Sequence, residues 1–377
     1  MRIQSAVFAL VTTAFVHIYL PQPVLPLLAQ TFDSDMVMVS FTVSAVILGM
    51  ALSNLPFGLL ADRRSIRPII TVGGVALALG ALVCAAAQHL WLLIAARFLQ
   101  GLFIPAATTC VVAYLAKNLP LERLNVVMGT YVSATVLGGM GGRLLGGWIH
   151  PPLHWRYAFV SAAVLTLLAT AWALCTLPRS DIGANKAPDA ARFRVLLTQR
   201  SLLRIYLCGA GAFAVFSSTF NYLPFRLAGA PFHLTTEQIT LLYLVYVVGI
   251  FIAPLAGRIA NRFGAAPAML GGVTVLAASL ALVLAPTLAC VVLGLTGICT
   301  GFFTIHAAAV GALNRRLSSG QGRANALYVL FYYIGGWSGI TLTGLAYKFS
   351  GWAAVVGLCW LLLLIPLRTG IIEKGGR

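Results

Sequence analysis

Gly58-Leu59-Leu60-Ala61-Asp62-Arg63-Arg64-Ser65 returns 199 residues later as Gly257-Arg258-Ile259-Ala260-Asn261-Arg262-Phe263-Gly264. Each copy follows a long apolar run. Each carries a glycine, then a short acidic or amide side chain, then arginine. Two other features recur at nearly the same spacing. Gly138-Gly139-Met140-Gly141-Gly142 is matched by Gly335-Gly336-Trp337-Ser338-Gly339, and Trp155 by Trp352, both at an offset of 197. Three matches at nearly one offset predict two homologous halves. Parallel repeats of that kind build many secondary transporters, with the substrate site near midplane.

Composition says what medium those halves live in. The 377 residues are 60% hydrophobic and only 9% charged, with a mean hydropathy of +0.94. Soluble domains carry about 25% charged residues, so a water-facing surface is excluded. Disorder needs the opposite balance. A spanning helix needs about 20 apolar residues. Apolar runs fall at 5–30, 36–61, 68–87, 90–116, 125–149, 156–177, 201–227, 237–260, 266–286, 288–313, 323–347 and 351–368. The fold expected is an all-α membrane protein of twelve transmembrane helices in two pseudo-symmetric six-helix bundles. The bundles are 1–177 and 201–377, joined by a polar cytoplasmic linker at 178–200. Met1-Arg2 opens a run too long for a signal peptide, so it is read as a retained first span.

The net charge of +17 sits in the links between runs. That is the topogenic pattern of membrane proteins and not a nucleic-acid surface. With the N-terminus inside, 20 Lys and Arg fall on cytoplasmic links and 3 on outer ones (Arg156, Arg226 and Lys348). Both termini are therefore expected in the cytoplasm. The seven cysteines lie in apolar runs, form no CxxC pair and are odd in number. They suggest neither a disulfide framework nor a metal site.

Two arginines fall inside spans: Arg97 in span 4 and Arg143 in span 5. A buried charge in lipid is costly and points to function by default. Gln100 lies one turn beyond Arg97 and shares its face. The bland alternative is a structural arginine bonded to carbonyls of span 1. Gly138, Gly142 and Gly146 form a stripe of small residues that allows close helix approach, expected between spans 5 and 8. No Asp or Glu lies deep in any span. A carrier that exchanges organic cations for protons generally needs such an acid. The fixed buried charges are positive, so the cavity is expected to favour anionic, zwitterionic or neutral polar substrates.

These motifs resemble the major facilitator superfamily along essentially the whole chain. Gly58-Leu59-Leu60-Ala61-Asp62-Arg63-Arg64 resembles the signature loop between spans 2 and 3. Arg97-Phe98-Leu99-Gln100-Gly101 is similar to an element of its proton-coupled exporters, and Gly138-Gly139-Met140-Gly141-Gly142-Arg143 to the antiporter motif. The nearest likeness is to the twelve-helix drug/proton antiporter and arabinose-efflux-like branch. The chain departs from the pattern where Ser65-Ile66-Arg67 replaces a Gly-Arg-Arg continuation, where the antiporter motif lacks its proline, and where Asn261 replaces the acid.

The resemblance implies roles. Gly58, Asp62, Arg63, Arg67, Arg97, Gly138, Gly142, Gly257 and Arg262 would serve gating or coupling, with the Asp62 cluster as a latch. His17, Gln22, Asn54, Arg97, Gln100, Arg143, Asn221, Tyr222, Tyr246, His306, Tyr328 and Tyr332 would lie on cavity-lining helices, along with Tyr243 and Tyr333. Proton carriage would fall to Asp62 with Arg97 first, and to His17 and His306 second. The function expected is secondary active transport by alternating access. In its leading form it is proton-coupled efflux of a drug, sugar or anionic metabolite across a bacterial inner membrane. Uptake or facilitated diffusion of a sugar or organic anion uses the same scaffold, and a membrane scaffold without transport is the remote alternative. No catalytic motif is visible, so no enzyme activity and no cofactor beyond the proton gradient are expected. The partners expected are the lipid bilayer, a small molecule and protons, for a monomer.

Overall fold

In a computed structural model of the chain, residues 2–118, 121–150, 152–177, 193–317 and 320–375 are described. Ten segments are long and apolar enough to cross a membrane. One of them, Gln321–Gly375, is two helices that meet at Gly351, whose φ of 72° no helix allows. Leu121–Ile149 is a further helix of 29 residues. Twelve spans result. They are α1 (Ile3–Thr31), α2 (Met36–Ala61), α3 (Ile66–Ala86), α4 (Leu90–Leu115), α5 (Leu121–Ile149), α6 (Arg156–Thr176), α7 (Arg200–Ala228), α8 (Thr236–Phe263), α9 (Ala265–Leu282), α10 (Leu288–Arg315), α11 (321–350) and α12 (352–375).

Proline explains several irregularities. In α1 the helix ends at Tyr19 and resumes at Leu25 through a 3-10 turn at Gln22–Val24, which contains Pro23 and is flanked by Pro21 and Pro26. Each proline removes an N–H that would continue the ladder. In α4 the helix pauses at Thr108, three residues after Pro105. Elsewhere side chains set the ends. Asp35 Oδ1 caps α2 by accepting from the N–H groups of Val37 and Met38 at 2.9 Å each, satisfying two of the four orphan donors there.

Packing divides the chain into two units. The first is Met1–Lys186 with Thr236–Tyr243; the second is Ala187–Thr235 with Leu244–Arg377. Within the first, α1 packs on α5, α2 on α4 and α3 on α6. Within the second, α7 packs on α11, α8 on α10 and α9 on α12. The same three pairings recur, as the sequence repeat requires. Of the expected linker, residues 178–192 lie outside the described residues. The rest is helical except for the extended Gln199: Phe193–Thr198 form a short helix and α7 already begins at Arg200. Leu196 of the short helix is fully buried, and that apolar contact outweighs the polar composition around it.

The distribution of polarity is inverted relative to a soluble protein. Large apolar side chains stand outward, among them Trp91, Phe251, Leu293 and Leu361 at 62–71% exposure. Arg97, Arg143 and His17 lie inside at 0–1%. Large apolar side chains exposed in such number are suited to lipid, not water.

Candidate functional site

Arg97 is the centre of a polar knot inside the first unit. Its Nε donates to the Thr42 carbonyl of α2 at 2.7 Å. One terminal nitrogen donates to the Ile18 carbonyl of α1 at 2.8 Å, and the other to Gln100 Oε1 at 2.8 Å. Gln100 Nε2 in turn bonds the Leu77 carbonyl of α3 and His17 Nδ1, both at 3.2 Å. His17 Nε2 reaches Thr166 Oγ1 of α6 at 2.8 Å. Five spans are joined through one guanidinium and its neighbours. The tautomer follows from the donors. Arg97 fixes Gln100 Oε1 as acceptor, so Gln100 Nε2 donates, His17 Nδ1 accepts and Nε2 carries the hydrogen. The space for Gln100 comes from Gly80, where a Cβ would sit 2.6 Å from the Gln100 side chain.

The bonds to Ile18 and Thr42 make Arg97 the carbonyl-bonded brace that sequence reasoning weighed against a cavity role. In this structure Arg97, Gln100 and His17 are all buried, at 1% exposure or less. Arg97 also stands 5.7 Å from the Phe159 ring centroid. The sequence signals were correct in pairing Arg97 with Gln100. Thr166 and the Thr42 and Ile18 carbonyls carry no motif and were not foreseen.

Arg143 forms a second cluster in the same unit. Its Nε donates to Gln22 Oε1 at 2.5 Å and a terminal nitrogen donates to the Gly139 carbonyl at 2.7 Å. The guanidinium carbon lies 3.8 Å above the Tyr19 ring and 5.2 Å from that of Tyr243. A guanidinium on an aromatic face gains cation–π attraction. The Pro-rich break in α1 brings this about: the turn at Gln22–Val24 carries Gln22 towards α5. Tyr19 was missed as a partner, although it is the last helical residue before the break.

The glycine stripe of α5 packs elsewhere than expected. A Cβ at Gly138, Gly142 or Gly146 would lie 2.4, 2.3 and 1.8 Å from the carbonyl oxygens of Thr12, Val16 and Leu20. The stripe therefore seats α1, not α8. The position that faces α8 is Gly147, whose Cβ would lie 1.8 Å from Thr240 Oγ1. Adjacent helix positions point about 100° apart, so one residue is enough to change partner. The second unit repeats the device: Gly335 lies against Ala210 and Gly339 against Ala214 of α7.

The remaining candidates divide by environment. Asn54 accepts from Thr109 Oγ1 at 2.5 Å. Tyr222 is fully buried and donates to the Ile340 carbonyl at 2.9 Å, clasping α7 to α11. Asn221 is also fully buried. Tyr246 lies against Phe220 and Phe216, with centroids 4.7 and 5.4 Å away. His306 and Tyr332 are half-buried, their rings 5.3 Å apart. Tyr328 Oη bonds His306 Nδ1 at 2.9 Å, and Tyr333 stands edge-on to Tyr332. In the second unit this aromatic wall extends through Phe213 and Phe302.

The signature loop needs no glycine at the position where the chain lacks one. Arg64 and Ser65 are both extended, at φ −125° and −65°. At the corresponding place of the second half Gly264 has φ 100°, which favours glycine. The Asp62 side chain lies outside the described residues, so the latch is not described. Arg67 donates to the Leu177 carbonyl at 2.7 Å, tying α3 to the end of α6. Arg63 is exposed, and Arg262 stacks 5.2 Å from the neighbouring Phe263 ring. Around Gly58 the nearest contact to a Cβ would be 3.9 Å, and around Gly257 there is none within 4 Å. Asn261 accepts from Arg315 at 3.3 Å, a neutral counterpart of an acid–arginine pair.

Twelve spans in two repeated bundles, with polar residues held inside and apolar residues outside, define a multi-pass membrane carrier. A sequence profile described as Major Facilitator Superfamily matches residues 7–253; the chain belongs to that superfamily. The Bacillus subtilis protein named uncharacterized MFS-type transporter YybF is 26% identical over 97% of this chain and 92% of its own. The inner membrane transport protein YnfM of Escherichia coli is 27% identical over 98% and 90%. A multidrug resistance protein B homolog of Mycobacterium tuberculosis is 32% identical over 42% of this chain and 29% of its own. Among solved structures, a bacterial homologue of the human lysosomal transporter Spinster superimposes with a TM-score of 0.78 at 14% identity, covering 98% and 95% of the two chains. The human organic anion transporter MFSD10 does so at 0.76 and 17%, covering 98% and 99%. These two likenesses concern the fold.

Proposed function

We propose that this carrier exports a small anionic, zwitterionic or neutral polar molecule in exchange for protons. The Arg143 cluster carries the reading. A guanidinium held by Gln22 and faced by Tyr19 and Tyr243 is a cation built into the first unit. No Asp or Glu occurs in any span outside its terminal turns. Such a site attracts negative charge and repels organic cations. Export agrees with the partial likeness to the multidrug resistance homolog. A place in the bacterial inner membrane agrees with the relative YnfM, and cytoplasmic termini with the bias of basic links. The protein would act as a monomer, with the proton gradient as its only energy source.

The proton would be carried by Asp62 beside its arginines, or by His306, which is half-buried and bonded to Tyr328. His17 is a poorer carrier: both ring nitrogens are engaged, and a proton on Nδ1 would confront the Gln100 amide hydrogens. The test is flux in proteoliposomes under an imposed pH gradient, with labelled organic anions, zwitterions, sugars and an ethidium-like cation as cargo. Gradient-dependent movement of a non-cation is expected, reduced at least tenfold by Arg143→Gln and less by Arg143→Lys. Movement of lipophilic cations alone, or flux indifferent to the gradient, would overturn the proposal. Flux only down the substrate's own gradient would instead indicate a facilitator.

A further inference from the structure

The second unit holds a cavity of about 560 Å³ between the start of α7 and the end of α12. Arg200 and Arg204 line it from successive turns of α7, and Arg368 lines it from α12. Apart from Thr369, whose hydroxyl donates to the Arg204 and Ile365 carbonyls, the remaining walls are apolar, including Leu207, Leu364 and Ile365, which are 37–55% exposed. Among the described residues no side chain or carbonyl bonds these three guanidiniums, and Arg204 Nε is buried without an acceptor. The acid of this region, Glu373, pairs through Oε2 with Arg316, which also donates to the Ser201 carbonyl at 3.1 Å, while Glu373 Oε1 is buried without a hydrogen-bond partner among the described residues.

We propose that this cavity binds an anionic phospholipid of the cytoplasmic leaflet. The headgroup phosphate would lie among Arg200, Arg204 and Arg368, and an acyl chain along Leu207, Leu364 and Ile365. Guanidiniums grip phosphate oxygens with paired donors. Basic pockets between spanning helices on the cytoplasmic side suit acidic headgroups. That face rests on the topology proposed above, which puts the start of α7 and the end of α12 on the cytoplasmic side. A free phosphate would satisfy the guanidiniums but leave the outward apolar wall unused, whereas a lipid uses both. A zwitterionic lipid brings a cation to a site that already holds three.

The whole protein, purified in mild detergent, is titrated with phosphatidylglycerol and phosphatidylcholine of equal chain length and read by native mass spectrometry. One phosphatidylglycerol is expected to bind at least tenfold more tightly than phosphatidylcholine. Arg200→Gln/Arg204→Gln/Arg368→Gln should remove that preference, and the matching triple lysine variant should keep part of it. Should the glutamine variant fail to fold, Leu207→Trp fills the acyl seat with the charges intact and should weaken phosphatidylglycerol binding by a similar factor. Glycerol phosphate at millimolar concentration should not compete. Equal binding of the two lipids, undiminished binding in the glutamine or tryptophan variants, or displacement by glycerol phosphate would overturn the assignment.

Discussion

Alanine at two neighbouring glycines of α5 should have different consequences. At Gly142 a Cβ would sit 2.3 Å from the Val16 carbonyl oxygen, with the Val16 C and Cα atoms at 3.0 Å. At Gly141 the only neighbour within 4 Å among the described residues is a Val16 methyl at 3.9 Å. Comfortable heavy-atom separation is about 3.5 Å, so Gly142→Ala must push α1 and α5 apart by about 1 Å. The obstacle is helix backbone and cannot rotate away. Overpacking of a rigid contact costs about 1–3 kcal/mol. At about 2 kcal/mol, and about 2–4 °C per kcal/mol for a unit of this size, Tm should fall by about 4–8 °C. Gly141→Ala should stay within about 0.5 kcal/mol. The assay is thermal unfolding of both purified variants in one detergent, followed by the buried native cysteines. Equal Tm values for the two variants, or a larger loss at Gly141, would refute the placement of α1 on the stripe.

Arg97→Lys keeps the charge but cannot reach acceptors on α1, α2 and Gln100 together. With hydrogen bonds from a charged group lost, at about 1.5–3 kcal/mol each, it should unfold several degrees below wild type; an unchanged Tm would show that the knot is not a brace. Trp352 Nε1 donates to the Val283 carbonyl at 2.9 Å, whereas Trp155 Nε1 is buried without an acceptor. Trp352→Phe should therefore cost about 1 kcal/mol more than Trp155→Phe in unfolding measurements, despite their equivalent places in the repeat. Gly264→Ala puts a Cβ on a residue at φ 100° and should cost about 1–2 kcal/mol, while Ser65→Gly should cost less than about 1 kcal/mol. Equal losses at these two loop positions would contradict the different backbones of the two halves.

Much of the fold was legible because crossing lipid is demanded of each segment separately. Length and apolarity give the runs, and an offset of 197–199 residues gives the duplication. The buried arginines were legible for a related reason: Arg97 and Arg143 each interrupt an apolar run that has no need of a charge. Gln100 was legible as a partner because one helical turn places it beside Arg97. What the two arginines hold was not legible. The Thr42, Ile18 and Gly139 carbonyls belong to the backbone, and any residue could supply them.

The sequence by itself determined the medium, the number of crossings, the repeat and the sign of the interior charge. Those properties are local, or sums over local terms. Only the tertiary structure decided that the stripe of Gly138, Gly142 and Gly146 receives α1, that Gly147 faces Thr240, and that His17 closes a chain from Arg97 to Thr166. The physical reason is that lipid tails are as apolar as leucine. Helices inside a bilayer gain little hydrophobic energy by choosing one neighbour over another, so partners are set by close backbone fit and by interhelical hydrogen bonds. Both depend on three-dimensional register, which a one-dimensional pattern of oily and polar residues does not carry.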